Sequence, residues 1–415
     1  MRILWTTNIV LPAVAEDFGL PGTPFGGWLQ SLLSCLAADP SLRLGVAMRA
    51  NVKSHLRLVK DRVEYHVFPS SLSNRHDIDP ALCTRILEDF SPDVLHAHGS
   101  EMPSTARFMS TWNGPKVLSL QGILSGIQPM LEGGGTIKSA SLADIAMSLT
   151  LRVKSRFMFA PRVEAENACL RGADVVLGRT AWDRAYSRVI NPDARYIQCG
   201  EILRKEFISK QWTKEGRQPL TLFLGNASVP LKGAHVALRA LAVLKRTYPS
   251  VLLKIAGPGV PRGTFGAWVS YMGHLRRLIT TMGLEENVEF LGVLNPEDMA
   301  NHLMHAHVYV LPSLIENSPN TLGEAMLMGV PSVCSFVGGV PSVAANEKDA
   351  LFYGATDHVM LAAQVERLFE SDGLCEELSR NARAKALRNH DEALIVRTVV
   401  DAYRSLCGQG RISNG

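Results

Sequence analysis

Residues 307–335 constrain the fold of this chain more than any other stretch. They begin with an apolar, β-branched run at 307–311 and end with a second apolar run at 331–335, and both runs have the composition of buried strands. Between them, Gly329 and Pro331 supply the usual signals that end a helix. The segment therefore predicts a strand, a helix and a second strand in succession, which is the repeating unit of α/β proteins.

The predicted helix begins in a way that favours an anion. Ser318 is expected to be the N-cap and Pro319 the first helical residue, where its missing N–H costs nothing. The N–H groups of Asn320 and Thr321 then have no partner within the helix, and the positive end of the helix dipole adds to them. We therefore predict that an anionic ligand binds at this helix N-terminus.

Two carboxylates flank this position, Glu316 in the preceding loop and Glu324 further along the helix. Helix side chains lean toward the N-terminus, so Glu324 can reach the same pocket. Acids beside an anion are useful only if they bind another part of the ligand, and carboxylates accept hydrogen bonds from sugar hydroxyls. A nucleotide-sugar, with its diphosphate between two sugars, fits this arrangement. The alternative is an ordinary surface helix with two solvated glutamates.

Strand and helix patterns alternate along the rest of the chain. A length of 415 residues exceeds one typical core and predicts two domains, and the alternation predicts parallel, doubly wound sheets. Polar residues increase around 201–216, where we place the linker. The other predicted strands lie at 2–6, 42–48, 62–68, 94–96, 116–120, 174–177, 195–198, 220–224, 251–256 and 287–291.

Composition argues against several classes of protein. The net charge of +4 is not the electrostatic footprint of a nucleic-acid-binding protein, and no apolar run approaches the ~18 residues of a membrane span. The first residues have the pattern of a strand and not of a signal peptide. Seven scattered cysteines without a C-x-x-C motif fit reduced thiols. We therefore expect a cytoplasmic protein that does not bind nucleic acid.

The E-x7-E spacing of Glu316 and Glu324, the Gly-Val-Pro at 329–331 and the Gly-Gly-Val-Pro at 338–341 together resemble the donor site of the glycosyltransferase family 4 enzymes. The resemblance covers most of the chain and is dense in its C-terminal half. It implies the GT-B fold, an α/β architecture in which two Rossmann-like domains with doubly wound parallel sheets face each other across a cleft. The predicted limits are 1–205 for an acceptor-binding domain, 206–390 for a nucleotide-sugar-binding domain, and 391–415 for a helix that packs back on the first domain.

In the C-terminal domain, the resemblance gives each acid a role. Glu324 binds the ribose hydroxyls of the donor, and Glu316 is the candidate catalytic residue that orients the transferred sugar. The backbone around Asn317 and Ser318 contributes to the same donor site. The N–H groups at the start of the helix bind the diphosphate.

A second element of the donor site is the glycine loop that follows the strand at 220–224. Gly225 opens this loop, and Lys232 and Gly233 lead into a helix, where a lysine neutralises the donor diphosphate in the family. Asn226 stands where the family has an arginine. The site therefore has one positive charge fewer, or another residue supplies it.

In the N-terminal domain, the resemblance points to loops that follow strands. Gly26 and Gly27 stand where family members often carry a glycine pair near the donor phosphate; a simple turn is the alternative. Gln121 is the second candidate catalytic residue; it replaces a family histidine close to the transferred sugar, and its amide can bind a sugar hydroxyl or the leaving phosphate. His96 and His98 share one strand face, and they either look into the acceptor cleft or form a structural, hydrogen-bonded pair.

A long helical pattern follows the glycines at 133–135 and carries four basic residues, Arg152, Lys154, Arg156 and Arg162, beside apolar side chains. Such a surface suits the inner face of a membrane or a lipid-linked acceptor. The alternative is a partly solvated helix face. Peripheral membrane contact is therefore one of two interpretations of this helix.

Together these features predict a retaining glycosyltransferase that moves a sugar from a nucleotide-diphospho-sugar to a sugar, lipid-linked or small-molecule acceptor, in bacterial polysaccharide, lipopolysaccharide or glycoconjugate biosynthesis. No metal or other cofactor is expected, because a lysine and a helix N-terminus can stabilise a leaving diphosphate. The D-x-D at 77–79 is better explained by Asp79 as a helix N-cap. The alternatives are a nucleotide-sugar epimerase, a phosphorylase or a non-catalytic sugar-nucleotide-binding protein.

Overall fold

The computed structural model describes residues 1–20, 26–71, 76–134, 141–257 and 270–409. The chain divides into two compact units. The first unit consists of Met1–Ser125, Met158–Leu203 and the chain from His390, and the second consists of Gly126–Phe157 and Arg204–Asn389. In the described part of the chain, no helix has the length and apolarity needed to cross a bilayer.

The secondary structure alternates as the sequence predicted. The strands are β1 (Arg2–Thr7), β2 (Arg43–Arg49), β3 (Leu56–Lys60), β4 (Val63–Phe68), β5 (Val94–His98), β6 (Lys116–Ser119), β7 (Val175–Gly178), β8 (Arg195–Gln198), β9 (Thr221–Leu224), β10 (Leu252–Ala256), β11 (Val288–Gly292), β12 (Val308–Leu311), β13 (Ser332–Ser335) and β14 (Leu351–Tyr353). The helices are α1 (Pro12–Ala15), α2 (Gly27–Ala37), α3 (Pro80–Phe90), α4 (Pro103–Thr111), α5 (Leu124–Ile127), α6 (Leu142–Lys154), α7 (Ala160–Gly172), α8 (Ala181–Ile190), α9 (Glu206–Ser209), α10 (Ala234–Leu244), α11 (Tyr271–Thr281), α12 (Pro296–His305), α13 (Asn320–Met328), α14 (Val340–Val343), α15 (His358–Glu370), α16 (Asp372–Asn389) and α17 (Glu392–Gln409).

The first unit is built on one sheet with the strand order β3-β4-β2-β1-β5-β6-β7-β8. Its pairings are parallel except for the edge pair β3–β4. Successive side chains of a strand face opposite sides of the sheet, so Ile3 and Trp5 belong to a core that includes residues of α2 and α17. Leu4 faces the other core, which includes residues of α3, α4 and α7. Helices therefore cover both faces, as the doubly wound prediction requires.

The C-terminal helix α17 is part of this first unit. Its side chains Ile395 and Val399 are buried in the same core as Trp5. The hydroxyl of Tyr403 accepts a hydrogen bond of 3.1 Å from the Trp5 indole N–H. Apolar burial and this buried hydrogen bond hold the end of the chain on the sheet that contains its beginning.

The second unit is built on a parallel sheet with the order β11-β10-β9-β12-β13-β14. Helix α10 packs on α15, and α13 packs on α16 and α9. The predicted strand limits agree with the observed ones within one residue in this sheet. Strand β14 was not predicted, since three residues give too short a pattern to recognise.

Residues Gly126–Phe157, which the sequence analysis assigned to the N-terminal domain, cluster with the second unit. The anchor is Asp144 of α6, whose Oδ1 is 2.8 Å from His274 Nδ1 and 2.5 Å from Arg277 Nη2, both on α11. Burial alone raises the pKa of Asp144, but hydrogen bonds from Arg277 and His274 lower it to about 2. The carboxylate is therefore ionised and binds α6 to α11.

Candidate functional site

Helix α13 starts later than predicted. It begins at Asn320, and Pro319 is the N-cap residue without a side-chain cap, because Pro319 adopts an extended conformation with φ −70° and ψ 113°. The prediction of Ser318 as N-cap and Pro319 as first helical residue is therefore wrong by one position. The N–H groups of Asn320 and Thr321 still lie in the first turn, where a helix offers no acceptor. The helix N-terminus thus keeps the N–H groups on which the predicted anion site depends.

Thr321 fixes the first turn of α13 against the sheet. Its Oγ1 accepts a hydrogen bond of 2.8 Å from the Tyr309 hydroxyl of β12. Gly225, directly after β9, lies against the same side chain, since a Cβ at Gly225 would be 3.3 Å from Thr321 Cγ2. The start of α13 therefore sits at the carboxyl ends of two adjacent parallel strands, where ligands bind in open α/β sheets.

Glu316 is held in place by two side chains. Lys232 Nζ is 2.6 Å from Glu316 Oε1, and Ser313 Oγ donates to the same oxygen at 2.7 Å. Lys232 ends a short 3₁₀ turn, Pro230–Lys232, before α10. The structure thus brings together the acid before α13 and the lysine of the glycine loop, which are 84 residues apart in sequence.

Two glycines permit this close approach. Gly233 has φ +71°, and a Cβ there would lie 1.7 Å from the Pro312 carbonyl oxygen. Gly338 has φ +46°, and a Cβ there would lie 2.2 Å from the Glu316 carbonyl oxygen. No other residue type fits either position without moving backbone, so both loops depend on glycine.

Gly233→Ala is therefore expected to destabilise the second unit by about 2–4 kcal/mol, from a strained backbone and a clash with a carbonyl oxygen. Urea unfolding of the purified chain measures this change. The matched control is Gly283→Ala, which has a similar φ of +63° but open space around a new Cβ, and which should lose only ~1 kcal/mol. Equal losses in the two variants would contradict the clash.

Glu324 is buried, with 3% of its surface exposed, and is paired with Arg204. The Nε and Nη2 of Arg204 lie 3.0 Å and 2.6 Å from Glu324 Oε1. Glu324 Oε2 is also buried and has no hydrogen-bond partner among the described residues. Burial raises the pKa of Glu324 to about 6, although Arg204 acts in the opposite direction. One oxygen is thus fixed by the protein, and the other is left as an unused acceptor.

Sequence reasoning missed Arg204, which lies within the predicted linker and begins the longer segment of the second unit. Nothing in the spacing of the linker distinguishes it from its charged neighbours. The family arginine is replaced by Asn226, whose Oδ1 accepts a hydrogen bond from the Ser228 N–H at 2.8 Å and closes a local turn. Of the other predicted donor residues, Asn317 is buried and Ser318 is half-buried.

The predicted acceptor residues lie in the first unit. His96 is fully buried; its Nδ1 is 2.6 Å from the Tyr403 hydroxyl and its Nε2 is 2.7 Å from Ser119 Oγ. Burial lowers its pKa to about 3. Both nitrogens of His96 are therefore occupied, as in the structural alternative.

His98 differs from its neighbour. Both of its ring nitrogens are buried without a hydrogen-bond partner in the described ranges, and its ring centroid lies 3.9 Å from that of His96. It lines a cavity of about 30 Å³ together with Ser119 and Arg179. Burial and then His96 lower the pKa of His98 well below the usual value. His98 is therefore neutral.

The remaining predicted residues also lie at strand or helix ends. The backbone carbonyl oxygen of Gln121 accepts a 3.0 Å hydrogen bond from Arg179. The side-chain Nε2 of Gln121 is buried and has no hydrogen-bond partner in the part of the chain that is described. Gly26 is the N-cap of α2 with φ +87°, and Gly27 is the first helical residue. Both glycines thus stand at the start of a helix.

Comparison with known proteins gives a match for the second unit. Residues 204–385 match the profile of the family described as "Glycosyl transferases group 1". The glycogen synthase of Mycobacterium tuberculosis is 26% identical over 207 residues, which are 49% of this chain and 47% of that protein. A D-inositol 3-phosphate glycosyltransferase of Acidothermus cellulolyticus is 28% identical over 197 residues, which are 46% and 42% of the two chains. The chain thus spans about half the length of the curated relatives it matches.

Solved structures resemble the whole chain. Sucrose-phosphate synthase from Thermosynechococcus elongatus aligns with 98% of this chain and 99% of its own, with a TM-score of 0.71 and 17% identity. HepE of Anabaena in complex with UDP-glucose aligns with 98% of this chain and 100% of its own, with a TM-score of 0.67 and 17% identity. The likeness shows a shared fold and confirms the predicted GT-B class. The epimerase, phosphorylase and binding-protein alternatives receive no support from these matches.

Proposed function

We propose that this chain is a retaining glycosyltransferase that uses a nucleotide-diphospho-sugar as donor, and the match of residues 204–385 to the profile "Glycosyl transferases group 1" supports this. The observation that carries the proposal is Glu324 Oε2, a buried carboxylate oxygen without a partner in the described residues. Such an acceptor is costly unless a ligand supplies a donor. The vicinal hydroxyls of a ribose supply one, and HepE of Anabaena forms complexes with UDP and with UDP-glucose.

In the proposed complex, the diphosphate lies at the N-terminus of α13 and beside Lys232. In the structure, Lys232 is bound to Glu316. Donor binding therefore exchanges the Glu316 carboxylate for phosphate oxygens around Lys232. The freed Glu316 carboxylate then accepts hydrogen bonds from hydroxyls of the transferred sugar.

The reaction breaks the bond between the anomeric carbon and a diphosphate oxygen, and it forms a bond between the same carbon and an acceptor oxygen. On a front-face route, the acceptor oxygen attacks the face from which the diphosphate departs, so the anomeric configuration is retained, and the departing phosphate oxygen takes the acceptor proton. Lys232 and the N–H groups of Asn320 and Thr321 stabilise the charge that develops on the diphosphate. These groups require no metal or other cofactor. The acceptor is a sugar, a lipid-linked or a small-molecule hydroxyl, in a bacterial polysaccharide, lipopolysaccharide or glycoconjugate pathway.

The experiment is a donor assay on the purified chain with UDP-, GDP-, ADP- and TDP-sugars in EDTA. We expect release of one nucleoside diphosphate, faster with a mixture of glycan and glycoside acceptors than with water alone. Proton NMR of the product should show the same anomeric configuration as the donor. An inverted anomer contradicts the retaining mechanism, and activity that EDTA abolishes and Mg²⁺ restores contradicts metal independence.

The pKa of Glu324 predicts how donor binding depends on pH. Only the carboxylate accepts hydrogen bonds with both oxygens, and burial raises its pKa to about 6. We therefore expect the KM for donor to rise as the pH falls below about 6, by up to ~10-fold per pH unit. Steady-state kinetics between pH 5 and 8 measure this rise, and Glu324→Gln should remove it. A wild-type KM that stays constant down to pH 5 would contradict the assigned role.

The raised pKa of Glu324 also makes folding stability depend on pH, in the direction opposite to that of donor affinity. The folded chain binds a proton at Glu324 more tightly than the unfolded chain, whose ordinary carboxyl pKa is near 4.5. The contribution of this group to stability is therefore fully present below that value and falls as the pH rises through about 6. Glu324 costs stability at neutral pH, as expected for a group kept for ligand binding.

A further inference from the structure

The outer face of α6 exposes a stripe of large apolar side chains. The exposed fractions are 81% for Leu142, 55% for Ile145, 63% for Leu149 and 50% for Val153. At ~100° per residue, these four positions fall within an arc of about 80° on one side of the helix. Phe157, one turn further on, is 72% exposed. The stripe therefore runs along the full length of α6.

The opposite face of the same helix is already packed. Ala143 and Met147 are buried, and Asp144 is bound to His274 and Arg277 of α11. Rotating α6 to bury the stripe would break this buried ion-pair cluster, which costs several kcal/mol in general. The inner face of α6 is thus held against the second unit, and its outer face is apolar and exposed. The stripe therefore needs a partner outside the second unit's core.

The charge of the segment indicates which partner. Residues 141–157, which lie in the second unit, contain three basic residues, Arg152, Lys154 and Arg156, and one acid, Asp144. Arg152 is paired with Glu132 at 3.1 Å, and Lys154 and Arg156 add two further positive charges. Asp144 is buried and bound inward, so it does not offset the positive charge at the outer surface. An exposed apolar helix face within a segment that contains Lys and Arg is typical of helices that lie in the interface of an anionic bilayer.

We propose that the stripe of α6 docks on the surface of an anionic lipid bilayer, with the helix axis parallel to the membrane. The 13 residues of α6 form a cylinder ~20 Å long, enough to insert its apolar side chains at the headgroup boundary without crossing the membrane. A second copy of the chain fits less well, because a symmetric pairing of α6 with itself would bring two positively charged segments together. The inference is independent of the proposed transferase activity.

The test is co-sedimentation of the full chain with sucrose-loaded vesicles. We expect binding to phosphatidylcholine vesicles that contain 30 mol% phosphatidylglycerol, weaker binding to pure phosphatidylcholine, and a decrease between 0.1 and 0.5 M NaCl. The variant Ile145→Gln/Leu149→Gln/Val153→Gln should bind at least 10-fold more weakly. Since all three side chains point outward, its melting temperature should stay close to that of the wild type.

The matched control is Val189→Gln on α8, which removes an apolar side chain that is 84% exposed outside the stripe and should leave binding unchanged. Failure of the wild type to bind anionic vesicles overturns the proposal. Equal losses in the control and in the stripe variant also overturn it, as does a stripe variant that binds like the wild type. If the wild type binds no vesicles but forms a concentration-dependent dimer, and the stripe variant does not form this dimer, the exposed face of α6 binds a second copy of the chain instead.

Discussion

Replacing Glu324 by Gln is expected to raise the KM for the nucleotide-sugar donor by ~10–100-fold at pH 7.5, with kcat changed by less than ~3-fold. Hydrogen bonds to a charged group contribute ~1.5–3 kcal/mol each, and the ribose hydroxyls keep these bonds in both the ground and transition states. Loss of such uniform binding appears in KM and not in kcat. Steady-state kinetics with varied donor at saturating acceptor measure both constants.

Glu297→Gln is the matched control. Glu297 lies on α12 of the same unit and is also paired with a cation, Lys210, but it is largely exposed and outside the site. Its KM should equal that of the wild type. A Glu324→Gln variant with an unchanged KM would show that the orphan oxygen of Glu324 does not bind the donor.

Replacing Lys232 by Met is expected to lower kcat by ~10²–10³-fold, because the lysine opposes charge that develops on the leaving diphosphate. The same variant removes the ion pair with Glu316, so that Glu316 keeps its hydrogen bond from Ser313 and loses the one from Lys232. Lys232→Arg keeps the charge and should recover most of the lost rate. Single-turnover kinetics with bound donor separate this effect from donor affinity.

Lys245→Met is the control for a positive charge lost beside the same helix, α10. Lys245 lies at the other end of α10 and donates to the Gly283 carbonyl oxygen at 2.6 Å. It should leave kcat unchanged. A Lys232→Met variant that keeps the wild-type kcat would exclude Lys232 from stabilising the leaving group.

The sequence predicts most strands of the two sheets well because those strands are buried on both faces. Strand β12 is a continuous apolar run, and β13 follows Gly329, which ends α13 with φ +76°. Strand β3 escaped prediction because it is a half-exposed edge strand. It pairs with β4 through a turn in which Asp61 and Arg62 have positive φ, and Arg62 stands where the usual hairpin signal has glycine.

Long-range pairing accounts for what the sequence does not show at the site. The E-x7-E motif predicts two acids near one helix, but not that Lys232 contacts Glu316 or that Arg204 contacts Glu324, 120 residues away. The unit to which α6 belongs is equally hidden, because it depends on the contact of Asp144 with α11. Local patterns determine elements, whereas these partners are determined by how the elements pack.

The most direct test of the donor site is a thermal-shift series with UDP-, GDP-, ADP- and TDP-sugars at 1 mM in EDTA. The proposed site predicts that one nucleotide-sugar raises the melting temperature of the wild type, since a ligand that binds only the folded state stabilises it by mass action. It also predicts that the shift is lost in Glu324→Gln. If no nucleotide-sugar shifts the melting temperature, or if Glu324→Gln retains the full shift, the donor site is not where we place it.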